Sequence, residues 1–448
     1  MSKTKRRQAV VIGAGIAGLA AARVLSEYFE KIVVLERDSL PERPANRPGT
    51  PQSRHAHGLL TGGNRALDEL FPGFEQDLAE AGAVTIRLNA DYWIERPGYD
   101  PFPQRDLGVV QHALSRPAIE FAVRQRLKLH PNVIVRDRCR VRKLLTSPDG
   151  AAVTGVEFED AKGVRQELLT ELVVDASGRG EPTTEMLRAA GLPLSETTVI
   201  GVDQAYSTGV FHKPDDTPEW KAVITFGGQP PNHHRGGLLF PVEGNRWIVT
   251  LSGRHTDAPP GGLDGFLGFA RGLRTQTIYN AVRSATLDGE IVRFLFPDNV
   301  LHHFERLKTF PRGLLPIGDC ICRFNPVYAQ GMTVAVMEAI LLRELLAAKA
   351  GTGDLLQGLS QDYFERIPEI IEAPWEVSTF DFRHPATRGE RPDDFEARVR
   401  FADALSKLSA EDPDVNKLSL EVSQLLRPRS ALRDPALVRR VEQLIAEG

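Results

Sequence analysis

Residues 10–36 read VVIGAGIAGLAAARVLSEYFEKIVVLE, and no other stretch so narrows what the chain can fold into. An apolar run at 10–12 leads into Gly13-Ala14-Gly15-Ile16-Ala17-Gly18, and a segment rich in Ala and Leu follows. A second apolar run, 32–35, closes on Glu36 and Arg37. The pattern predicts strand, tight turn, helix, strand and acid within one βαβ unit. Gly13 permits the turn, Gly15 lets backbone approach a pyrophosphate, and Gly18 lets the helix pack on the strand. The helix N-terminus offers unpaired N–H groups to phosphates, and Glu36 can accept hydrogen bonds from ribose hydroxyls. A dinucleotide-binding, Rossmann-like α/β fold is the expectation.

Composition does not compete with that reading. A chain of 448 residues has room for several domains, and 42% hydrophobic with 25% charged residues is ordinary for a globular protein. A formal net charge of −4 gives no reason to expect nucleic acid. No apolar stretch reaches the roughly 18 residues of a membrane span. The basic start, MSKTKRRQ, runs straight into the first strand and reads as a solvated end rather than a targeting signal. Cys139, Cys320 and Cys322 form neither a disulfide framework nor a zinc spacing, which fits a reducing cytoplasm.

Further along, a helix interrupted at Pro72-Gly73 is expected over 65–82, and an amphipathic helix over 115–130. Strands are expected at 133–135, 141–145, 152–159 and 168–176, the last ending at Asp175-Ala176-Ser177-Gly178. From 201 to 296 short alternating segments such as 236–242 and 246–252 predict an antiparallel sheet. A buried strand at 314–318 and a long helix at 333–349 follow. The expected division is therefore a dinucleotide domain over 1–200 with pocket segments near 60–112, and an antiparallel-sheet substrate domain over 201–296. The first domain would resume over 297–350, and 351–448 would form an outer helical cap. His233-His234 and His302-His303 read as loop residues rather than metal ligands, since no acid or cysteine stands at ligand spacing.

Residues 314–339 read LLPIGDCICRFNPVYAQGMTVAVMEA. A strand delivers Gly318 and Asp319, and Ala329-Gln330-Gly331-Met332 opens the long helix. The acid can bind a chain of hydroxyls, and the helix N-terminus can stabilise negative charge on a ring carbonyl. A plain strand–loop–helix with a capping acid would look the same in isolation. Taken with the N-terminal motif, the chain resembles the group A flavoprotein monooxygenases of the para-hydroxybenzoate hydroxylase fold. Their motif GDAxHxxxPxxGxGxN is matched at Gly318, Asp319, Pro326 and Gly331, while Cys322, Ala329 and Met332 stand at the usual His, Gly and Asn. The family's Asp-Gly that touches both FAD and NAD(P)H is replaced by Asp175-Ala176-Ser177-Gly178. The stretches 51–58, 325–332 and 373–375 are similar to actinobacterial polyether epoxidases.

The resemblance implies an FAD-dependent monooxygenase. NADPH or NADH, or a separate flavin reductase, supplies electrons, O2 adds at flavin C4a, and the hydroperoxide gives one oxygen atom to a hydrophobic small molecule. Alkene epoxidation in secondary metabolism is the first expectation and aromatic hydroxylation the second; an isoprenoid reductase and a non-redox flavin cyclase are the rivals. By the same resemblance the cofactor contacts are Gly13, Gly15, Ala17, Gly18, Glu36, Arg37, Arg54, Arg116, Asp175, Gly178, Gly318, Asp319, Pro326, Gln330, Gly331 and Met332. Arg54, His55 and His57 lie in a loop that the family brings near the flavin ring; a solvated basic loop is the alternative. Phe226, Phe240 and Trp247 sit on predicted strands of the middle sheet, as core or as lining of a substrate pocket. Nucleophilic hydrolysis is disfavoured because no GxSxG elbow is present.

Overall fold

A computed structural model describes residues 6–216, 218–228 and 234–447. Its first sheet has five parallel strands in the order Leu314–Pro316, Leu172–Asp175, Arg6–Ile12, Phe29–Leu35, Val133–Arg136. Val10, Val11, Val33, Val34, Val173 and Val174 are fully buried, as strands covered on both faces require. Register aligns Ile12 with both Leu35 and Asp175, and Asp175 with Pro316. The carboxyl ends of four strands therefore share one edge, where ligands bind in open parallel sheets. Helix Ile16–Leu25 starts at that edge with no side-chain cap.

The second sheet has seven strands: Cys322–Arg323, Val292–His303, Glu196–His212, Arg246–Arg254, Gly236–Val242, Ala222–Thr225 and Tyr92–Glu95. All pairings are antiparallel except the last, where Tyr92–Glu95 runs parallel to Ala222–Thr225. The sheet is thus wider than the expected span of 201–296, and a strand from the pocket segment completes it. One face packs Phe211, Trp247 and Leu251 beneath helices Leu263–Arg271 and Thr277–Val282. The other packs Phe240 and Ile248 against the pair Val84–Arg87 and Val110–Ala113.

Several expectations are corrected. The strand expected over 168–176 is two, Arg165–Leu169 in a small three-stranded sheet and Leu172–Asp175 in the parallel one. The chain changes sheets at Thr170, whose hydroxyl donates to the Gln8 carbonyl (2.9 Å). His302 and His303 end the strand Val292–His303 rather than lying in a loop; His233 lies outside the described residues. Helices Thr61–Leu70, Phe74–Glu80, Arg116–Leu127 and Gly331–Lys349 stand where helical periodicity placed them, with the break at Gly73 in the left-handed region (φ 84°). Helices Phe395–Glu411, Pro413–Ser423 and Pro435–Glu447 share a small core of their own around Leu408, Val415 and Val441. The rest of the tail is no outer cap, because Asp381 is 1% exposed and reaches into the middle of the molecule. Among the described residues, no helix is long and apolar enough to cross a membrane.

Candidate functional site

At the shared edge of the parallel sheet, Gly13 (φ 97°) donates its N–H to the Leu35 carbonyl at 2.8 Å. A Cβ on Gly13 would lie 2.5 Å from the Ala176 carbonyl oxygen, and one on Gly18 only 2.0 Å from that of Gly13. A Cβ on Gly15 would meet nothing within 4 Å. Packing thus enforces the first and third glycines, whereas the second faces open space before a helix N-terminus, as a pyrophosphate requires. Ala17 is where this turn touches the second motif, since a Cβ on Gly318 would come within 2.8 Å of it.

Glu36 is buried and mostly engaged already. Its Oε2 accepts from the Ala14 N–H (2.8 Å) and its Oε1 from the Asp38 N–H (2.9 Å), and Arg47 Nη1 lies 3.2 Å from Oε2. A carboxylate has about four acceptor positions, so one remains on Oε1 for a ribose hydroxyl. The buried cation here is Arg47, held by Asp38 and Glu120 and donating to the Ala14 carbonyl (3.3 Å). Arg37, expected as a cofactor contact, is exposed. Arg47 sits in a Pro/Arg-rich loop without periodicity, so no sequence signal singled it out.

Arg116 opens its helix under a Ser115 cap, whose hydroxyl accepts from the Ala118 N–H at 3.3 Å. Its side chain is nearly buried, its Nε has no hydrogen-bond partner, and its nearest acid, Glu120, is 4.0 Å away. Burial pulls its pKa down against the attraction of Glu120 and Asp319. Asp319 is accessible to solvent yet hemmed in by protein, so desolvation raises its carboxyl while Arg116 and Arg323 pull it down. Accessibility combined with crowding describes the wall of a cleft. His57 stands in the same field: burial, then Arg116, push its imidazole down to about 3, so it is neutral. Its Nδ1 lies 2.9 Å from the His55 carbonyl, which fixes the proton there and leaves Nε2 an acceptor.

Asp175 plays another part than the cofactor contact expected of it. Its Oδ2 accepts from the Thr183 hydroxyl (2.6 Å) and N–H (3.1 Å), and its Oδ1 from the Ser177 N–H (3.1 Å). It is fully buried and holds the Ser177–Gly178 turn, while Gly178 (φ 88°) faces open space. Gly318 donates its N–H to Glu338 Oε2 at 2.5 Å. Pro326 begins a tight turn that ends at Ala329, which holds a left-handed φ of 55° at a cost of roughly 1–2 kcal/mol. Gln330 Oε1 and the hydroxyl of Thr333 are buried without partners, and a Cβ on Gly331 would lie 3.9 Å from Asp319 Oδ1. Met332 is buried in the apolar core; Thr333, missed in the sequence, carries the second of these orphaned polar atoms. Orphaned groups on Arg116 and Gln330, with open space before Gly15 and Gly178, fit an FAD laid across the edge, while the Thr333 hydroxyl faces Gly63 of the neighbouring helix.

His55 is buried against the antiparallel sheet, its Nδ1 2.6 Å from the Thr208 hydroxyl, which is 2.7 Å from that of Thr250. Burial and Arg54 hold its pKa down to about 4. Arg54 itself points outward, half exposed and 3.6 Å from Glu290. The three aromatics expected to line a pocket separate. Trp247 lies beneath the helices on the far face, Phe240 is core on the near face, and Phe226 alone is exposed on it. Alternation decides this, because Phe240 pairs with Ile248, the neighbour of Trp247. No cluster among the described residues could hold a metal ion.

A family profile described as "FAD dependent oxidoreductase" matches residues 8–177. Protein Rv3254 of Mycobacterium tuberculosis is 34% identical over 370 residues, spanning 79% of this chain and 76% of the relative. Squalene monooxygenase of Mus musculus is 25% identical over 363 residues; the match takes in 76% of this chain but 54% of that protein. Among solved structures, p-nitrophenol 4-monooxygenase from Pseudomonas putida superposes with a TM-score of 0.68 at 18% identity, over 95% of this chain and 99% of that one.

Proposed function

Because the chain belongs to the FAD-dependent oxidoreductases and is an enzyme of their flavin monooxygenase kind, we propose that it inserts one atom of O2 into a hydrophobic organic molecule, with alkene epoxidation as the reaction. FAD supplies the activation of oxygen. NADPH or NADH, directly or through a flavin reductase, supplies two electrons, and the second oxygen atom leaves as water.

One observation carries the substrate class. Thr208, Thr250, Leu238, Ile224 and Ile94 stand directly opposite one another across five strands. Leu238, Ile224 and Ile94 keep part of their surface open, and the row contains no charged side chain. An apolar floor that starts at the His55 contact suits a hydrocarbon and excludes water. His57, neutral with its proton on Nδ1, offers Nε2 as a hydrogen-bond acceptor beside His55 at this end of the floor. Squalene, the alkene named in one relative, is a reasonable probe.

The test is incubation of the FAD-loaded protein with NADPH, labelled dioxygen and squalene, with product mass as the readout. A product heavier by one labelled oxygen supports the reading. Flavin that reduces and reoxidises while releasing only hydrogen peroxide, across a panel of polyenes and phenols, would sink it.

A further inference from the structure

Arg96 is an enclosed cation with no carboxylate partner among the described residues. Its Nη1 donates to the Ser406 hydroxyl (2.8 Å), and its Nε is buried without a partner. The guanidinium sits over the Phe102 ring at 4.6 Å and the Phe226 ring at 5.3 Å. Burial depresses its pKa, with only Tyr99 opposing. The adjacent acid, Glu95, faces the other side of the sheet, accepting from Trp93 Nε1 (3.0 Å) and the Thr225 hydroxyl (2.6 Å). Residues 229–233, outside the described chain, contain no acid. Cation–π contact returns less than desolvating an ion costs. The fold holds a guanidinium fork ready for an anion it does not itself provide.

Its position says which anion. Tyr92, Ile94 and Arg96 alternate onto the near face, and Phe226, whose N–H donates to the Glu95 carbonyl (2.8 Å), extends the Ile224 side. Arg96 therefore lies one step beyond Ile94, at the end of the apolar row away from Thr208 and His55. Strands about 4.8 Å apart make that row roughly 19 Å long. Between Tyr206 and Phe226 the adjoining row holds only Ser252 and Gly236, small side chains that leave a trough.

We propose that Arg96 anchors the carboxylate of an otherwise apolar substrate, whose far end lies along the trough toward Thr208 and His55. The proposal rests on the near face being the substrate surface. Planar two-point pairing is what a guanidinium offers a carboxylate.

The experiment compares dodecanoate with 1-dodecanol by calorimetric titration of the FAD-loaded protein, wild type and Arg96→Gln, alongside melting of both apoproteins. Wild type is expected to bind dodecanoate at least about tenfold more tightly than the alcohol, and Arg96→Gln to lose that preference. Arg96→Lys, which keeps the charge but not the fork, falls between. The Arg96→Gln apoprotein melts no lower than wild type, since an unpaired ion has been removed. Equal affinity for the two probes in wild type overturns the proposal. So does an unchanged dodecanoate affinity in Arg96→Gln, and a lower melting temperature alongside it marks Arg96 as structural. If the preference behaves as expected but no oxygen reaches any alkene, the anchor stands and the oxygenase reading falls.

Discussion

Two regions of the molecule, the edge around Gly331 and the network around Asp381, treat buried polar atoms in opposite ways. At the edge of the parallel sheet, Arg116 Nε and Gln330 Oε1 have no partner. Beside the antiparallel sheet, Asp381 is saturated: Oδ1 accepts from Tyr328 (2.9 Å) and Arg254, and Oδ2 from Asn299 (3.1 Å) and Asn325 (3.4 Å). Asn325 in turn accepts from the Tyr206 hydroxyl at 2.5 Å. A saturated network fixes architecture, here tying the tail to the loop before helix Gly331–Lys349. Groups left empty await something the chain does not contain.

The largest expected effect erases both regions. Gly18→Ala drives a methyl against the Gly13 carbonyl, a backbone atom that cannot yield, so the cost exceeds the roughly 1–3 kcal/mol of ordinary overpacking. Loss of bound FAD and of most soluble protein is expected; a yellow, stable Gly18→Ala protein would refute the packing argument. Next, Arg254→Met strands the Asp381 carboxylate in the interior, at about 3–5 kcal/mol. Chemical denaturation should read that loss, and adding Asp381→Asn should restore part of it. If the single and double variants unfold alike, the carboxylate is not what the network is built around.

Arg116→Met should do the reverse. Its guanidinium gains little from the protein, so the apoprotein should melt at or above the wild-type temperature. FAD affinity should fall at least about tenfold, as for a lost charge-assisted contact. Equilibrium dialysis with FAD and a melting curve separate the two. An apoprotein that weakens while FAD affinity holds would place Arg116 with the saturated groups.

What the sequence made legible divides along the same line. The edge of the parallel sheet could be read because its motif is compact: Gly18 answers to Gly13 five residues away, Gly13 is spelled in the same turn although it packs on Ala176, and hydrophobic period gives the helices. Arg47, Arg96 and Asp381 could not be read. Each matters through residues far along the chain, Arg47 through Glu120, Arg96 through Phe226 and Ser406, Asp381 through Arg254 and Asn299. Alternation showed that Phe240 and Trp247 were on strands, but which face each took depended on strand pairing. Asp175 had the motif's chemistry, yet a threonine eight residues on claims one of its oxygens.

The smallest expected effect tests a buried acid between the two regimes. Glu338 Oε2 accepts from Gly318, but Oε1 is orphaned, and burial raises its pKa from 4.5 to about 8. The folded protein therefore keeps a proton that the unfolded chain releases above pH 4.5. The stability due to this proton is complete below that pH and is lost as pH rises toward about 8. His55 and His57 act on the other side: their lowered values, about 4 and about 3, remove stability as pH falls below the ordinary 6.5. Glu338→Gln keeps a carbonyl for the Gly318 N–H and cannot ionise. Melting from pH 5 to pH 9 should show wild type and variant together at the acid end. At the alkaline end the variant should lead by about 2–4 °C, with the acid limb unchanged. Parallel curves throughout would mean that Glu338 is ionised in the folded protein, and that its second oxygen has found a partner after all.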